Sequence, residues 1–370
     1  MSSTRPVIEI AGVWLPNKGA ELMAHATIAA LRKRLPDAQF RSPQQGPDAM
    51  RAEIGMPAMP QNRGQLWRLV PFAGERLAFR AKRPEITHVI DISGFAYGDH
   101  WGAKKARRRV GAYLRAGYPT YVMPQAFGPF TDPTLADEMR FILPRLGMVA
   151  ARDAVSLDHL QKLNAGVDIP KMPDITLGLD ISARDVTKPA GPYGCVVVNA
   201  QLMKAGALDE DGINALFGGV ITAMKNASVT PVVVLHEPRA DAALSQTLAD
   251  AHGVQMIALD DARDIKAFIA GSTCTVTARF HGLANALSTG VPAFAVSWSH
   301  KYKELLSDFG CADAIFDGDT DAFLSTLRHF LNDDAAQAQR RAALQAKVAQ
   351  IKPQLETWWD TLADKIQASG

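Results

Sequence analysis

The sequence has few cysteines, almost no net charge and no apolar run long enough to cross a bilayer. Only 3 of the 370 residues are cysteines, widely spaced, which excludes a disulfide framework and a cysteine-rich zinc knuckle. Lys and Arg number 40 against 38 Asp and Glu, a balance that argues against a dedicated nucleic-acid binder. There is no apolar stretch of about 18 residues and no signal-peptide core near the start, so we expect a cytoplasmic protein. None of the 9 histidines has metal-ligand spacing with a partner, and we expect no bound metal.

The composition is that of a folded protein with two domains. Hydrophobic residues make up 47% and charged residues 21% of the chain, ordinary values for a globular protein. The segment 187–192 contains two prolines and a glycine, which interrupt both helices and strands. We therefore predict an N-terminal domain over 1–187 and a C-terminal domain over 188–370.

Short β-branched runs alternate with longer helical patterns, and several runs are apolar at consecutive positions, as in parallel strands covered by helices on both faces. This alternation predicts doubly wound α/β sheets. The predicted strands are Val7–Val13, His88–Ile92, Pro119–Pro124, Gly147–Ala151, Cys195–Ala200, Thr230–Leu235, Gln255–Leu259, Cys274–Ala278 and Ala293–Ser297. The predicted helices are Ala20–Arg34, Leu135–Arg145, Val155–Leu163, Gly212–Asn226, Ala240–Ala251 and Gly282–Ser288. A further helical stretch is predicted over Asp333–Ile366, with a break at Pro353. We expect these C-terminal helices to pack back on the first domain.

The strongest local signal runs from Cys274 to Pro292, where a buried strand leads through Arg279 and His281 into a helix that opens at Gly282. A helix N-terminus offers unpaired N–H groups to an anion. An arginine adds a fixed positive charge, and a histidine can transfer a proton near neutral pH. The alternative is a histidine that only caps the helix or fills the core.

Two further cations follow predicted strands, Arg152 after Gly147–Ala151 and Lys301 after Ala293–Ser297. Ligands of α/β sheets collect at the carboxyl ends of strands, so both side chains are candidates for holding anionic groups. The plainer interpretations are a solvated lysine and, for the neighbouring Asp153, a helix N-cap.

Polar residues in other turns are candidates for binding a second ligand. They lie beside Gly or Pro at predicted strand ends and comprise Asn17, Glu21, Gln125, His236 and Glu237. Asn17 and Glu21 can bond sugar hydroxyls or simply cap a helix, and each of the other turns could equally be structural.

Residues 63–115 carry twelve Lys and Arg against four Asp and Glu. Within this segment, apolar residues from Trp67 to Phe79 alternate with Arg and Lys. Such a pattern suits contact with an anionic membrane surface, or else a helical excursion with solvated arginines.

Taken together and in order, these motifs resemble the polysaccharide pyruvyl transferase family over roughly residues 8–310. The matching segments are Asn17-Lys-Gly19-Ala-Glu21, Ile92-Ser-Gly94, Pro124-Gln125-Ala-Phe-Gly128-Pro129, Ala151-Arg152-Asp153-Ala-Val-Ser156, Pro173-Asp174, Arg279-Phe-His281-Gly282, and Gly290-Val-Pro292 through Ser297 to Lys301. The chain departs from the commoner pattern at Ala20, where many members have aspartate, and at Ser93-Gly94, which replace a glycine run.

The resemblance implies two Rossmann-like domains facing across a cleft, a glycosyltransferase-B-like architecture. It also implies transfer of the pyruvyl group from phosphoenolpyruvate to two hydroxyls of a sugar or a lipid-linked oligosaccharide, with a cyclic ketal as product, phosphate released and no cofactor. His281 would then be the general acid, Arg152, Arg279, Lys301 and Gly282 would bind the donor, and Asn17, Glu21, Gln125, His236 and Glu237 would bind the acceptor. A lipid-linked acceptor would place the protein at the inner face of the membrane. The rivals are a glycosyltransferase with a nucleotide-sugar donor and a carbohydrate-binding protein without activity.

Overall fold

Parallel strands connected by helices build both halves of the molecule. The computed structural model describes residues 5–43, 46–59, 83, 85–297 and 299–369. The alternating segment from Trp67 to Phe79 lies outside them. The chain divides into two units: unit 1 holds 1–16, 23–175 and 354–370, and unit 2 holds 17–22 and 176–353. The bounds of these units differ from those of the predicted domains, 1–187 and 188–370. The predicted domain boundary between residues 187 and 188 stays a prediction.

Unit 1 contains a four-stranded parallel sheet in the order β2-β1-β3-β5 and a two-stranded sheet of β4 and β6. Its strands are β1 (Val7–Ala11), β2 (Gln39–Arg41), β3 (His88–Asp91), β4 (Phe95–Tyr97), β5 (Thr120–Val122) and β6 (Ala126–Phe127). Its helices are α2 (Asp48–Ile54), α3 (Gly102–Ala106), α4 (Ala112–Ala116), α5 (Pro133–Ile142) and α6 (Ala154–Lys162), with a π-helical turn at Arg107–Gly111 and a 3-10 turn at Leu143–Arg145.

Unit 2 contains a six-stranded parallel sheet in the order β12-β11-β10-β7-β8-β9. Its strands are β7 (Tyr193–Val197), β8 (Thr230–Leu235), β9 (Gln255–Ala258), β10 (Cys274–Thr277), β11 (Ala293–Val296) and β12 (Ile315–Phe316). Its helices are α7 (Gln201–Lys204), α8 (Glu210–Asn226), α9 (Pro238–His252), α10 (Ala262–Ala270), α11 (Phe280–Ser288), α12 (His300–Asp308) and α13 (Thr320–Leu331). This is the Rossmann strand order, and it reverses direction between β7 and β10.

Three helical segments each contain residues of both units. They are α1 (Lys18–Arg34), the 3-10 turn Ile175–Gly178 and the long α14 (Asp334–Ala368).

Local signals in the sequence explain where many helices begin. An aspartate precedes each of five helices, and its carboxylate accepts a hydrogen bond from a backbone N–H of the first turn, which would otherwise have no partner. The five are Asp132 before α5, Asp153 before α6, Asp209 before α8, Asp261 before α10 and Asp319 before α13. The N-cap interpretation of Asp153 is therefore confirmed.

Eight of the nine predicted strands and all six predicted helices form close to the expected bounds. Gly147–Ala151 is the exception, because only isolated bridges join Met148 to Tyr121 and Ala151 to Gln125 and Lys171. The predicted break at Pro353 is also wrong, since α14 continues through it. Ile351 and Leu355 are buried on either side, and their burial, worth about 1.5–3 kcal/mol each, offsets the helix bond that proline cannot make. In the described ranges, no helix is long and apolar enough to span a membrane.

Candidate active site

The candidate site lies in unit 2, where the strand order reverses. Ligands of open α/β sheets bind beyond the carboxyl ends of the strands at this point. β7 leads there to Asn199, β8 to His236 and β10 to Arg279. Asn199 Nδ2 donates a hydrogen bond of 2.9 Å to the carbonyl oxygen of Ala278, which ties the ends of β7 and β10 together.

The N-terminus of α11 faces this edge of the sheet. Arg279 is its N-cap residue, and no described side chain caps it in the usual way. The first helical bond runs from Leu283 N to Arg279 O, 3.0 Å, so the N–H groups before Leu283 have no partner within the helix. Gly282 is required for packing, since a Cβ there would lie 2.5 Å from Thr277 Oγ1. This hydroxyl in turn accepts from Arg279 N at 3.0 Å.

The guanidinium of Arg279 is held by Asp241 in a two-point contact. Nε and Nη2 of Arg279 donate to the two carboxylate oxygens of Asp241 at 2.7 and 2.6 Å. Asp241 is buried and also accepts from Ala200 N at 3.0 Å. The bidentate bond fixes the plane of the guanidinium and leaves its Nη1 edge for a ligand.

His281 lies in the first turn of α11, and residues 17–22 pack against it. A Cβ built at Gly19 would lie 2.1 Å from His281 Nδ1, so only glycine lets the backbone come this close to the imidazole. The segment is anchored at both ends: Asn17 Nδ2 donates to Glu237 Oε2 at 2.7 Å, and Glu21 Oε1 accepts from Ala262 N at 2.8 Å.

Lys301 joins the same cluster through aromatic contacts. Its ammonium lies 5.6 Å from the ring centroid of Phe280 and 5.8 Å from that of Tyr302, within the range of cation–π attraction. Tyr302 donates to Ala278 O at 2.8 Å, which fixes α12 against the end of β10. The structure therefore brings Arg279, His281, Gly282 and Lys301 to one helix N-terminus.

His236 is buried among positive charges. Burial lowers its pKa well below the usual 6.5, and the charges of Arg279, His281 and Lys18 lower that pKa further. The imidazole is therefore neutral at physiological pH, and its Nε2 finds no hydrogen-bond partner among the described residues. A neutral imidazole has one N–H donor and one acceptor nitrogen, so His236 adds a polar group but no positive charge to this pocket.

Three of the residues predicted to bind an acceptor make hydrogen bonds within the protein. Asn17 Oδ1 accepts from Ala20 N at 3.0 Å and so caps α1. Glu21 accepts from Lys18 Nζ at 3.0 Å as well as from the start of α10. Burial raises the pKa of Glu21. Glu237 is the N-cap residue of α9. With His236, these residues lie in the same unit as Arg279, His281 and Lys301. Their role toward an acceptor stays a prediction.

Arg152 and Gln125 belong to unit 1. Arg152 is buried, and its Nη1 donates to Asp174 Oδ2 at 2.8 Å. Arg152 N donates to Gln125 O at 2.9 Å, which fixes the two backbones side by side. The expected meeting of Arg152 with the cations of unit 2 stays a prediction.

Sequence reasoning missed Asp241, Thr277 and Asn199. Asp241 stands in the first turn of α9, where acidic residues are common because they oppose the helix dipole. The sequence therefore has no signal that separates an arginine clamp from an ordinary surface carboxylate. One hint is the spacing of Asp241 along α9. Asp241 lies three and four positions before Leu244 and Ser245, so it shares the buried face of the helix with them.

Comparisons of the sequence with known proteins bear on the family of this chain. The family model for polysaccharide pyruvyl transferase matches residues 17–300. The amylovoran biosynthesis protein AmsJ of Erwinia amylovora is 22% identical over 267 residues, 65% of this chain, and the match spans 63% of that protein's length.

Solved structures show the fold. The UDP-GlcNAc 2-epimerase of Neisseria meningitidis superposes with a TM-score of 0.64 at 12% identity, over 97% of this chain and 100% of that one. The glycosyltransferase SnogD of Streptomyces nogalater gives 0.56 at 15% identity, over 99% of each chain. The expected glycosyltransferase-B-like α/β class is thus confirmed. Because the family model matches most of its length, this chain belongs to the polysaccharide pyruvyl transferase family.

Proposed function

We propose that the protein transfers the pyruvyl group of phosphoenolpyruvate to two hydroxyls of a sugar in a polysaccharide or its precursor, forming a cyclic ketal and releasing phosphate. The observation that carries the proposal is the cluster at the start of α11. There an arginine fixed by Asp241, a histidine and a lysine surround backbone N–H groups that no helix bond uses.

The cluster suits a small donor with two anionic groups. The N–H groups of a helix N-terminus bind phosphate or carboxylate oxygens, and Arg279 supplies a charge-assisted bond through Nη1. Lys301 adds a mobile positive charge within reach of the same turn. Neutral His236 adds no charge to the cluster in the physiological pH range. Arg152 of unit 1 completes the proposed set of donor-binding cations.

In the proposed reaction, His281 as imidazolium gives a proton to the methylene carbon, which becomes the ketal methyl. The carbon bearing the phosphate turns electrophilic, and the first sugar hydroxyl attacks it. The C–O bond to phosphate then breaks, and the second hydroxyl closes the ring. One hydroxyl proton regenerates His281, and the other leaves with phosphate, so protons balance. A bound dianion favours the charged form of a nearby imidazole, so donor binding prepares the acid.

Ligand binding tests the donor directly. Saturating phosphoenolpyruvate at 100 times its dissociation constant stabilises a folded protein by about 2.7 kcal/mol, a shift that thermal unfolding resolves. We expect a rise in Tm with phosphoenolpyruvate, a smaller rise in Arg279→Lys, and none with UDP-GlcNAc. A shift with UDP-GlcNAc alone would favour the nucleotide-sugar glycosyltransferase. Sugar binding without phosphate release would favour the inactive carbohydrate-binding protein.

We also propose that the acceptor is lipid-linked and that the basic segment 63–115 contacts the membrane surface. In the described part of this segment, Arg107 and Arg108 are exposed. Co-sedimentation with anionic vesicles should be strong in low salt and weak above physiological ionic strength. No association in low salt would contradict this placement.

A further inference from the structure

A second polar cluster lies in unit 1, at the carboxyl ends of β3 and β5. Asp91 ends β3 and is fully buried, as is Gln125, which follows β5. Asp91 Oδ1 accepts hydrogen bonds from Ser93 N at 3.1 Å and, weakly, from Gln125 Nε2 at 3.5 Å. The Ser93 hydroxyl also bonds to this oxygen. Asp91 Oδ1 therefore has all of its hydrogen bonds from the protein itself.

Three other atoms of this cluster lack a well-formed hydrogen bond to any described residue. Within the part of the chain that the structure describes, Asp91 Oδ2, Gln125 Oε1 and Tyr97 Oη are buried and make no hydrogen bond of good geometry. Tyr97 lies close enough to Asp91 and Ser93 to interact with both side chains, so a ligand here would insert into a strained polar contact. A buried polar atom without a good hydrogen bond is destabilising, and three in one cluster point to a partner that the protein itself does not supply. The bond from Gln125 Nε2 to Asp91 fixes the amide orientation, so Oε1 is the atom that faces away from the carboxylate.

A chain of hydrogen bonds connects this buried set to the surface. Arg109 Nη1 donates to Ser93 Oγ at 2.9 Å, and both residues are only half-buried. Arg109 stands in the π-helical turn, with a backbone conformation outside the helical region, and such turns concentrate at functional sites. Beside it, Lys105 lies 3.3 Å from the ring centroid of Trp101, which is partly exposed.

The unpaired atoms define the chemistry of the missing partner. Asp91 Oδ2 and Gln125 Oε1 can only accept, while a tyrosine hydroxyl can donate or accept. An anion is disfavoured because it would face a carboxylate. A metal ion is disfavoured because a single carboxylate would serve it beside the guanidinium of Arg109. A pair of neighbouring hydroxyls satisfies all three atoms, and a partly exposed indole at the rim is an apolar face on which a sugar ring can rest.

We propose that Asp91, Tyr97 and Gln125 form a binding site for two neighbouring hydroxyls of a sugar, with Ser93 and Arg109 as its gate. Sugar binding at this site is independent of the proposed function. The further statement that the bound sugar is the acceptor of the pyruvyl group rests on the proposed function. Gln125 is among the residues predicted from the sequence to bind the acceptor, and the structure places Asp91, Tyr97 and Arg109 in the same cluster.

The test measures binding of methyl β-galactopyranoside, which carries both a 4,6 and a 3,4 hydroxyl pair, by saturation-transfer NMR and calorimetry. Asp91→Asn should weaken binding at least tenfold. Tyr97→Phe should weaken it similarly with little change in Tm, because it removes a buried hydroxyl that makes no hydrogen bond of good geometry. Asp99→Asn is the control, since Asp99 binds Thr131 N and Asp132 N at 3.0 and 3.2 Å outside the cluster, and it should bind the glycoside as wild type does.

The outcomes separate this proposal from the proposed function. If Tyr97→Phe binds the glycoside as tightly as wild type, the site assignment is wrong. If wild type binds none of the methyl glycosides of galactose, glucose and mannose, the cluster holds structural water only, and the proposal is equally overturned. If the glycoside binds in an Asp91-dependent manner but phosphoenolpyruvate does not raise the Tm, the sugar site stands and the donor assignment fails.

Discussion

Gly19 lies against the imidazole of His281 so closely that a methyl group at Gly19 would lie 2.1 Å from Nδ1. The approach is set by bonds on both sides of the glycine, from Asn17 to Glu237 and from Glu21 to Ala262. The backbone at the N-terminal end of α1 therefore restricts the positions that the His281 imidazole can adopt. Gly19 is a positioning residue for His281.

Gly19→Ala should displace the imidazole and leave the fold intact, because a side chain yields more easily than a backbone. A misplacement of about 1 Å at a reacting group costs on the order of 100-fold in rate. We expect kcat to fall by that order, with a small change in Tm and a shifted pH–rate profile, measured by continuous phosphate release.

The matched control is Gly218→Ala in α8. There too a new Cβ would meet a histidine ring, at 2.5 Å from His252 Cε1. We expect a comparable effect on Tm and normal kcat. Equal losses of activity in both variants would refute the positioning role of Gly19.

Asp241→Asn should weaken both stability and donor binding. Removing one charge of a buried ion pair costs roughly 3–5 kcal/mol, and the freed guanidinium loses its fixed plane. Asp313→Asn is the control, because Asp313 binds Arg340 at the same 2.6 Å but is more than half exposed, so its loss should cost under about 1 kcal/mol. Urea unfolding measures both. Equal destabilisation would show that the Arg279–Asp241 pair is no stronger than a surface contact.

The buried His236 should make the protein less stable in mild acid. Its folded-state pKa is lowered, so the unfolded chain takes up a proton first as the pH falls through about 6.5, and stability decreases from there downward. His236→Gln should reduce the slope of unfolding free energy against pH between about 5 and 6.5. His88, whose pKa burial also lowers, should keep part of the slope. An unchanged slope in His236→Gln would contradict the burial of a neutral ring.

The three cysteines should resist modification in the native protein. Cys195 and Cys274 are fully buried, and burial raises the pKa of each thiol to about 12. Cys311 is buried as well, with a raised pKa. Iodoacetamide at pH 8 followed by mass spectrometry should find no label on folded protein and three labels after denaturation. Rapid native labelling of Cys195 or Cys274 would mean that the β7–β10 core opens.

The fold could be predicted because its signals are local. The run Thr230–Leu235 is apolar at successive positions, and the helix after it begins at Pro238. What failed depended on distant contacts. Residues 147–151 look like a strand, but only single bridges form there, and α14 passes Pro353 because buried residues on both sides maintain the helix.

The site could be predicted in part for the same reason. Arg279, His281 and Gly282 are adjacent in sequence, so one strand–helix turn brings them together. Asp241 lies 38 positions before Arg279 in the chain, and no local pattern connects the two. Gly19 belongs to a segment that matches the family, but its contact with His281 depends on residues 17–22 folding together with the rest of unit 2, which only the folded chain reveals.

The central claim is that His281 gives a proton to phosphoenolpyruvate during transfer to a sugar. The most direct measurement runs the reaction in D2O with an acceptor glycoside and follows both phosphate and the mass of the ketal. We predict one phosphate per ketal, one deuterium in the new methyl group, and a loss of roughly 10²–10⁴-fold in rate for His281→Gln, with His252→Gln unaffected. Turnover of His281→Gln at the wild-type rate, or a ketal methyl without solvent deuterium, would contradict the account.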